Sequence, residues 1–459
     1  MDFSSVAAIS TPYGRGAIAI IRISGENTLE ILEKVFVPSS KKSIDSYRAG
    51  QLIRGDIVSQ DGRMIDDGMA VFFRAPNSYT GENCVEITCH GGILVTKTVL
   101  DSLIESGAYP AQAGEFTKRA YVNGKLRLSE AEAIMDIIDA KTPSALKIAG
   151  ASGRGALSNE AKKITDRLFA LLSSSYAYID YPDEDLTDVT SEQMLSELCD
   201  ILSAVKELER SYKTGKAVKE GIITVICGKP NAGKSSLLNM LTGEDTAIVT
   251  DIEGTTRDVI TSQAICADVV LRLSDTAGIR KTDDAVEGIG VQRAYSEIKK
   301  AELILAVFDS SRPLSDQDTE IIKTVSECDS VKIALINKSD IRCAEFDTDT
   351  VFSSFEYTIE MCAKNGFGKE KLEELVSMLF TDGRIDYSKA YISNARQYSE
   401  IRLCAESIES AINTLKDGMT QDVAALDIEQ ALSAVSRLDG REMTDSIVNE
   451  IFSKFCVGK

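Results

Sequence analysis

The chain has 459 residues, 43% of them hydrophobic, which is enough for two to four ordinary globular domains. Its formal net charge of −20 makes it a poor general binder of nucleic acid, because phosphate contacts supply most of that affinity. Ten cysteines without a Cys-x-x-Cys pair and a single histidine, His90, argue against zinc sites and against catalysis by a histidine base.

The start of the chain lacks a charged segment followed by a short apolar stretch, so no secretory signal is predicted. No run of about 20 apolar residues occurs, so no membrane span is predicted either. Scattered cysteines without an export signal fit a reducing cytoplasm. We therefore expect a cytoplasmic protein, and any RNA on which it acts is expected to be held by a more basic partner.

Residues 1–120 are predicted to form an α+β domain. Alternating apolar residues predict strands at Ala17–Ile23, Met69–Phe73 and Val85–Cys89. A helical period follows over Ile93–Ser106.

Residues 121–216 carry long helical periods. Helices are predicted over Ser129–Ile138, Ala161–Tyr178 and Ser191–Thr214, and Tyr181–Asp185 interrupts the pattern. Ser129 followed by Glu132 predicts a capping box at the first of these helices.

From Ser393 onward the chain is predicted to be helical again, with a last amphipathic stretch at Thr444–Phe455. The simplest arrangement is one helical domain, made of residues 121–216 and 383–459, with another domain inserted between its two parts. Helices from before and after the insertion are then expected to pack together.

The inserted residues 217–382 alternate strand and helix, as in a doubly wound α/β sheet. A strand predicted at Ile222–Cys227 leads into Gly228–Ser235, which fits G-x-x-x-x-G-K-[ST], and a helical run follows. In that context the loop amides and the helix N-terminus bind phosphate, Lys234 reaches the outer phosphates and Ser235 binds Mg²⁺. A glycine-rich turn without a ligand is the alternative, which the flanking strand and helix disfavour.

Asn337–Asp340 follows a predicted strand, Val331–Ile336. The Asp340 carboxylate can accept hydrogen bonds from guanine N1–H and the exocyclic amine, a donor pair that adenine lacks. Met361–Lys364 stands where a loop of small residues backs the base. Taken alone, Asn337–Asp340 is equally consistent with a surface turn that binds no nucleotide.

Asp275–Gly278 ends another predicted strand, Val269–Leu273. Its carboxylate can hold Mg²⁺ through water, and its glycine allows the backbone to approach the terminal phosphate. Thr250–Thr256 lies between this segment and the phosphate loop, where a first switch belongs, and Thr256 is the candidate second hydroxyl ligand of Mg²⁺. The motifs together describe a GTP pocket. Its candidate contacts are Asn231, Ala232, Gly233, Lys234, Ser235, Ser236, Thr250, Asp251, Ile252, Glu253, Gly254, Thr255, Thr256, Asp275, Thr276, Ala277, Gly278, Asn337, Lys338, Asp340, Cys362, Ala363 and Lys364.

Over its full length the chain resembles the MnmE (TrmE) family of tRNA-modifying GTPases. Besides the GTPase motifs, the resemblance rests on Gly14-Arg-Gly16, Arg22-Ile-Ser-Gly25, Pro76-Asn-Ser-Tyr-Thr-Gly-Glu82, His90-Gly-Gly92, Gly114-Glu-Phe-Thr-Lys-Arg-Ala120, Ser129-Glu-Ala-Glu-Ala133 and the terminal Phe455-Cys-Val-Gly-Lys459. It implies an N-terminal α+β domain for folate binding and dimerisation, a discontinuous helical domain and an inserted Ras-like P-loop GTPase domain.

The resemblance also implies an activity. With the FAD-containing partner MnmG (GidA), in a heterotetramer or larger complex, such a homodimer adds an aminomethyl or carboxymethylaminomethyl group to C5 of the wobble uridine of certain tRNAs. The carbon comes from a tetrahydrofolate derivative (5-formyl- or methylene-tetrahydrofolate), and GTP hydrolysis drives rearrangement of the G domains. The corresponding folate contacts here are Arg22, Glu86, Lys125 and Lys459. Cationic side chains suit a glutamate tail, and Glu86 suits the donor face of a pterin.

For K⁺, the resemblance implies oxygen ligands from Asn231, Thr250, Ile252 and Thr255. The cation would stabilise charge that develops during phosphoryl transfer. Asn231 as a simple turn residue is the alternative. Ile279 follows Gly278, so a Ras-type glutamine is missing there, and the family's water-positioning glutamate corresponds to Glu287. A solvated loop charge is the other interpretation of Glu287.

Cys456 stands three residues from the end of the chain. Its thiolate could attack an activated carbon or protect an intermediate, and a passive thiol is as consistent with the sequence. Two rival functions also stay open. One is a GTPase switch in ribosome assembly, which would be expected to carry a basic RNA-binding appendage. The other is an interaction scaffold with a structural nucleotide.

Overall fold

The computed structural model describes residues 4–180, 190–246, 262–273, 298–381, 383 and 385–459. Two compact units are present. The first consists of Met1–Met135, Gly153–Val189 and Met419–Lys459, and the second of Asp136–Ser152 and Thr190–Gly418. The domain boundaries at residues 120, 216 and 382 stay predictions.

The described strands belong to two sheets, one in each unit. In chain order they are β1 (Val6–Ile9), β2 (Ile18–Ser24), β3 (Phe36–Pro38), β4 (Ile53–Val58), β5 (Met64–Phe73), β6 (Cys84–His90), β7 (Tyr109–Pro110), β8 (Ile222–Cys227), β9 (Ser262–Cys266), β10 (Val269–Leu273), β11 (Leu303–Asp309), β12 (Val331–Asn337) and β13 (Tyr357–Glu360).

The described helices range in length from 7 to 29 residues. They are α1 (Thr28–Val35), α2 (Ile93–Glu105), α3 (Glu115–Val122), α4 (Leu128–Asp139), α5 (Pro143–Gly153), α6 (Ala156–Asp180), α7 (Ser191–Lys219), α8 (Lys234–Thr246), α9 (Asp316–Ser326), α10 (Thr348–Ser354), α11 (Lys369–Thr381), α12 (Ala395–Lys416), α13 (Gln421–Leu438) and α14 (Asp445–Ser453). Among the residues described, no helix combines the length and the apolarity needed to cross a membrane.

In the first unit the strand order is β3-β4-β5-β6-β2-β1-β7, and neighbours are antiparallel except for β1 and β7. Apolar side chains of β2 and β6 pack with those of α1 and α2, including Ile21, Ile87, Leu32 and Leu103. Helix α6 packs along α13. The strands predicted at β2, β5 and β6 are confirmed, whereas β1, β3, β4 and β7 were not predicted.

The capping box predicted at Ser129 is wrong. Helix α4 begins at Leu128, so Ser129 lies inside the helix and cannot cap it. At the helix start, the main-chain N–H of Arg127 donates to the Glu130 carboxylate at 3.0 Å. The Ser129 hydroxyl instead hydrogen-bonds Ser158 at 2.8 Å and the buried Asp439 carboxylate at 3.2 Å. A buried carboxylate needs donors, and that requirement outweighs the local capping preference.

In the second unit the strand order is β13-β12-β11-β8-β10-β9, parallel apart from the β9–β10 hairpin. All seven residues of β11 are buried. Leu303 and Leu305 pack with α8 and α11, whereas Ile304 and Ala306 pack with α9 and α10 on the opposite face. A sheet covered on both faces requires such continuous apolar strands. The predicted doubly wound fold is confirmed.

Helices α7 and α12 pack together in the second unit, and the chain approaches α7 closely just before α12 begins. A Cβ atom at Gly215 would lie 2.0 Å from the carbonyl oxygen of Ile392. Gly215 is therefore needed to let the backbone at Ile392 approach helix α7, although glycine is normally unfavourable inside a helix.

We predict that Gly215→Ala destabilises the protein. In an open helix interior this change stabilises by up to about 1 kcal/mol. Here the clash with a backbone oxygen reverses the sign, and we expect a loss of about 1–3 kcal/mol in the free energy of unfolding by urea.

The matched control for Gly215→Ala is Lys213→Ala, on an exposed position of the same helix, with an expected change within about 0.5 kcal/mol. Equal or greater stability of Gly215→Ala would show that the close approach imposes no constraint.

Candidate functional site

The phosphate loop predicted from the sequence joins the end of β8 to the start of α8. Gly228 has a φ of 149° and Gly233 a φ of 104°, values that side chains rarely allow. A Cβ atom on Gly233 would also lie 2.0 Å from Nδ2 of Asn337. Both glycines are thus required by the fold of the loop. Asn231 has a φ of 62° and is exposed at the loop's tip.

The Lys234 ammonium is held by the loop itself. Its Nζ donates to the carbonyl oxygens of Gly228 at 2.6 Å and Lys229 at 2.9 Å. Burial lowers the pKa of this ammonium. The cation therefore stands over the loop where phosphate oxygens are expected to bind, close to the N-terminus of α8.

Asn337, at the end of β12, joins three of the predicted segments. Its side chain is almost completely buried, at 3% exposure. Nδ2 donates to the carbonyl oxygen of Ala232 at 2.9 Å, and Oδ1 accepts from the N–H of Ala363 at 2.9 Å. One amide therefore fixes the phosphate loop and the Met361–Lys364 loop to the Asn337–Asp340 motif.

Lys338 and Asp340 lie on the turn that follows. Lys338 is in the left-handed region, with a φ of 62°, and a 3₁₀ turn over Ser339–Ile341 carries the exposed Asp340. The N–H of Ser339 donates to the carbonyl oxygen of Met361 at 3.2 Å, which ties this turn to the next loop. In that loop Cys362 and Ala363 are buried and Lys364 is exposed.

Asp309, at the end of β11, is a residue that the sequence reasoning missed. Its buried carboxylate accepts from Lys338 Nζ at 2.7 Å, Ser311 Oγ at 2.6 Å and Ser311 N at 3.0 Å, and it also pairs with Arg312. Burial by itself raises the pKa of Asp309, but the hydrogen bonds from Lys338 and Ser311 outweigh it and lower the pKa to about 2. The available signal was that Asp309 directly follows an apolar run, Leu303–Phe308, as Asn337 follows Val331–Ile336.

Several predicted residues lie outside the described residues: Thr250–Thr256, Asp275–Gly278 and Glu287. Of the predicted metal ligands, the described residues contain Ser235 and Asn231, both exposed on or beside the phosphate loop.

Arg22 and Glu86, two of the predicted folate contacts, lie opposite each other on β2 and β6 of the first unit. The guanidinium of Arg22 donates from Nη2 at 2.7 Å and from Nε at 3.0 Å to one oxygen of Glu86. It also lies 5.0 Å from the ring centre of Tyr79 and 5.6 Å from that of Phe116. The structure thus places this pair among aromatic rings.

The C-terminal tail, Cys456–Lys459, is anchored beside the start of α3. Val457 pairs with Ala113, the carbonyl oxygen of Cys456 accepts from Gly114 N at 3.3 Å, and that of Lys459 accepts from Phe116 N at 3.1 Å. The Cys456 side chain is exposed. Phe116 therefore connects the tail with the Arg22–Glu86 pair.

Lys125, the remaining predicted folate contact, donates from Nζ to the carbonyl oxygen of Pro76 at 3.0 Å. This ties it to the loop that also carries Tyr79. Glu82 in the same loop accepts from Ser24 Oγ at 2.8 Å and from Arg119 Nη1 at 3.0 Å. The sequence reasoning assigned no role to Glu82 or Arg119.

A cavity of about 300 Å³ lies at the β1–β2 connection, and Tyr13, Arg15 and Gly91 are among its lining residues. None of the four predicted folate contacts is among those lining residues.

One group of potential metal ligands, Asp66, Asp67 and His90, lies together among the described residues. His90 Nδ1 is 2.8 Å from Asp66 Oδ1, and this hydrogen bond raises the pKa of His90. Asp67 and the His90 side chain are exposed, and exposed acidic groups of this kind are common without a metal.

The fold and the site define a P-loop nucleotide-binding protein with a guanine-recognition motif. Comparison with known proteins agrees over the full length. The family model described as "MnmE helical domain" matches residues 128–456, and the one described as "GTP-binding protein TrmE N-terminus" matches residues 5–125. The chain belongs to the MnmE family of tRNA modification GTPases and is an enzyme of the GTPase class. Enzymes of this class bind GTP together with Mg²⁺.

The relatives cover the chain nearly end to end. A tRNA modification GTPase MnmE from Fervidobacterium nodosum is 40% identical, over 100% of this chain and 98% of the relative. One from Clostridioides difficile is 38% identical, over 99% of each. Among solved structures, Era from Aquifex aeolicus gives a TM-score of 0.27 at 21% identity, covering 40% of this chain and 66% of that chain, a likeness too distant to bear on function.

We predict that Asp309 stabilises the protein in a pH-dependent way. Its pKa in the folded state is about 2, below the ordinary value of 3.8, so its contribution is present above about pH 4 and is lost as the pH falls through 2. The difference in unfolding free energy between the wild type and Asp309→Asn should shrink by about 2 kcal/mol between pH 6 and pH 2.

Urea unfolding at a series of pH values measures that difference. The exposed Asp349→Asn is the matched control, and its free energy of unfolding at pH 6 should lie within about 0.5 kcal/mol of the wild type. A pH-independent difference for Asp309→Asn would contradict the assignment.

Proposed function

We propose that this chain is a potassium-activated GTPase that, together with a flavin-dependent partner, installs an aminomethyl or carboxymethylaminomethyl group at C5 of the wobble uridine of certain tRNAs. A folate-borne one-carbon unit supplies the new carbon. The observation that carries the GTPase part is the Asn337 amide, which joins the phosphate loop to the guanine motif. The end-to-end likeness to relatives named as tRNA modification GTPases supports the tRNA-modification part.

For hydrolysis, Lys234 and the loop amides bind the phosphates, and Ser235 binds Mg²⁺. Water attacks the γ-phosphorus, the bond from that phosphorus to the β–γ bridging oxygen breaks, and GDP and phosphate leave. Asp340 selects guanine by accepting hydrogen bonds that adenine cannot donate. Glu287 is proposed to position the attacking water.

The folate-binding proposal is supported by how the first unit gathers the relevant side chains. The Arg22–Glu86 pair, the Lys459 main chain and the loop anchored by Lys125 all meet around Phe116 and Tyr79. The donor set fits the cofactor, because a carboxylate can accept from a pterin and ammonium groups can bind a glutamate tail. Bound folate would supply the one-carbon unit, and the exposed thiol of Cys456 is the group proposed to act on it.

The partner proposal is a homodimer that works with a FAD-containing MnmG-type protein. The net charge of −20 makes tRNA binding by this chain alone unfavourable, so the partner is proposed to hold most of the tRNA. All ten cysteines are free, which supports a reducing, cytoplasmic location. A solution mass of one chain would exclude the homodimer.

We predict that GTP hydrolysis is faster in KCl than in NaCl at equal ionic strength, because oxygen ligands that include Asn231 would hold K⁺, and the cation would stabilise charge that develops during phosphoryl transfer. Asn231→Gly is the sharpest variant, since glycine keeps the φ of 62° while removing the amide oxygen. It should retain nucleotide binding and lose the difference between the two salts. Equal wild-type rates in the two salts would rule out potassium activation.

We predict that cells without this protein lack the C5 modification of wobble uridine, as measured by mass spectrometry of tRNA nucleosides. The wild-type gene should restore the modification. Cys456→Ser should retain GTP hydrolysis and fail to restore it, because the thiol is proposed to act on the carbon transferred.

The matched control is Cys199→Ser, at another exposed cysteine, which should restore modification fully. Unchanged wobble uridines in the deletion strain would refute the proposed function. Restoration by Cys456→Ser would show that the sulfur is not needed.

A further inference from the structure

The segment between the end of β11 and the first turn of α9, residues 309–318, is here named the brace segment. It carries two carboxylates that are almost fully buried, Asp309 at 2% exposure and Asp318 at 1%. Each is paired with a lysine from a different nucleotide-binding motif. A charge is costly to bury, so two in one short segment call for a physical reason.

Asp318 binds the phosphate loop through Lys229. Its Oδ2 accepts from Lys229 Nζ, from Ser315 N at 2.9 Å and from Ser315 Oγ at 2.7 Å, and Lys229 is itself 7% exposed. The main-chain oxygen of Lys229 is one of the two that hold the Lys234 ammonium. The side chain of Lys229 thus fixes the stretch of backbone that positions Lys234.

Asp309 acts on the other end of the pocket. Its carboxylate holds Lys338 Nζ at 2.7 Å, and Lys338 begins the turn that carries Asp340. Because Lys338 has a left-handed backbone, which side chains seldom adopt, the ion pair helps to keep the turn in this conformation.

Stability alone does not account for these pairs. Apolar side chains of similar size are often as stabilising as a buried ion pair, whereas removing one partner leaves an uncompensated buried charge and is strongly destabilising. What a charged pair adds is a fixed geometry, because donor and acceptor must meet at defined distances.

We propose that the brace segment positions the two halves of the nucleotide site separately: Asp318 sets the phosphate loop through Lys229, and Asp309 sets guanine recognition through Lys338. This inference rests on the proposed GTP binding. Both aspartates are positioning residues, since neither is expected to touch the nucleotide.

The test is calorimetric titration of the full-length chain with GDP and with IDP, which lacks the exocyclic amine of guanine. Asp318→Asn should weaken both nucleotides by about tenfold, leaving their affinity ratio unchanged, because only the phosphate loop is released. Asp309→Asn should lower the GDP-to-IDP affinity ratio by about fivefold, because the contact with the amine is misplaced. A general loss of stability would not weaken both nucleotides equally in one variant and change the GDP-to-IDP affinity ratio in the other.

Asp316→Asn, an exposed change on the same turn of α9, is the matched control and should bind both nucleotides like the wild type. If Asp318→Asn does not fold, the double variant Lys229→Met/Asp318→Asn removes both charges and should show the same uniform weakening. Wild-type affinities in that folded double variant, or an unchanged nucleotide ratio in Asp309→Asn, would overturn the inference. If the wild type bound neither nucleotide, the proposed function itself would fail.

Discussion

The side-chain amide of Asn337 is the interaction on which the nucleotide-binding half of the molecule depends. A carboxamide is both donor and acceptor, so it can bond a carbonyl oxygen on one loop and an N–H on another. Here it bonds Ala232 and Ala363 at 2.9 Å each from a buried position. An aspartate would lose the donor and leave a buried carbonyl unpaired, at a cost of about 1–3 kcal/mol. A side chain at position 233 would clash with this amide, because a Cβ atom on Gly233 would lie 2.0 Å from Asn337 Nδ2.

In the first unit, the end of the chain takes a comparable linking role through its backbone. The Cys456–Lys459 tail is anchored by main-chain hydrogen bonds at Ala113, Gly114 and Phe116, so its placement depends little on the tail's side chains. Main-chain anchoring is therefore compatible with the roles proposed for the Cys456 and Lys459 side chains. A Cβ atom at Gly458 would lie 2.2 Å from the carbonyl oxygen of Ile9, which explains the glycine in the tail.

Local signals predicted much of this structure. The phosphate loop, the doubly wound sheet and the longer helices follow from apolar periodicity and from a motif whose geometry lies within a few residues. What was missed depends on partners distant in sequence. Asp309 pairs with Lys338 and Asp318 with Lys229, 29 and 89 residues away. The prediction of a capping box at Ser129 was wrong because the Ser129 hydroxyl donates to the carboxylate of Asp439, 310 residues along the chain. Short edge strands such as β3 and β7 carry too few residues for a period to show.

The central claim is that the loop around Lys234 and the turn that carries Asp340 form one pocket selective for guanine. Calorimetric titration of the purified chain with GDP and with ADP, in the presence of Mg²⁺, tests this claim most directly. The account predicts saturable binding of GDP and an affinity for ADP weaker by about a hundredfold or more, since adenine offers the Asp340 carboxylate no matching pair of donors. Equal affinities for the two nucleotides, or no binding of GDP, would contradict it.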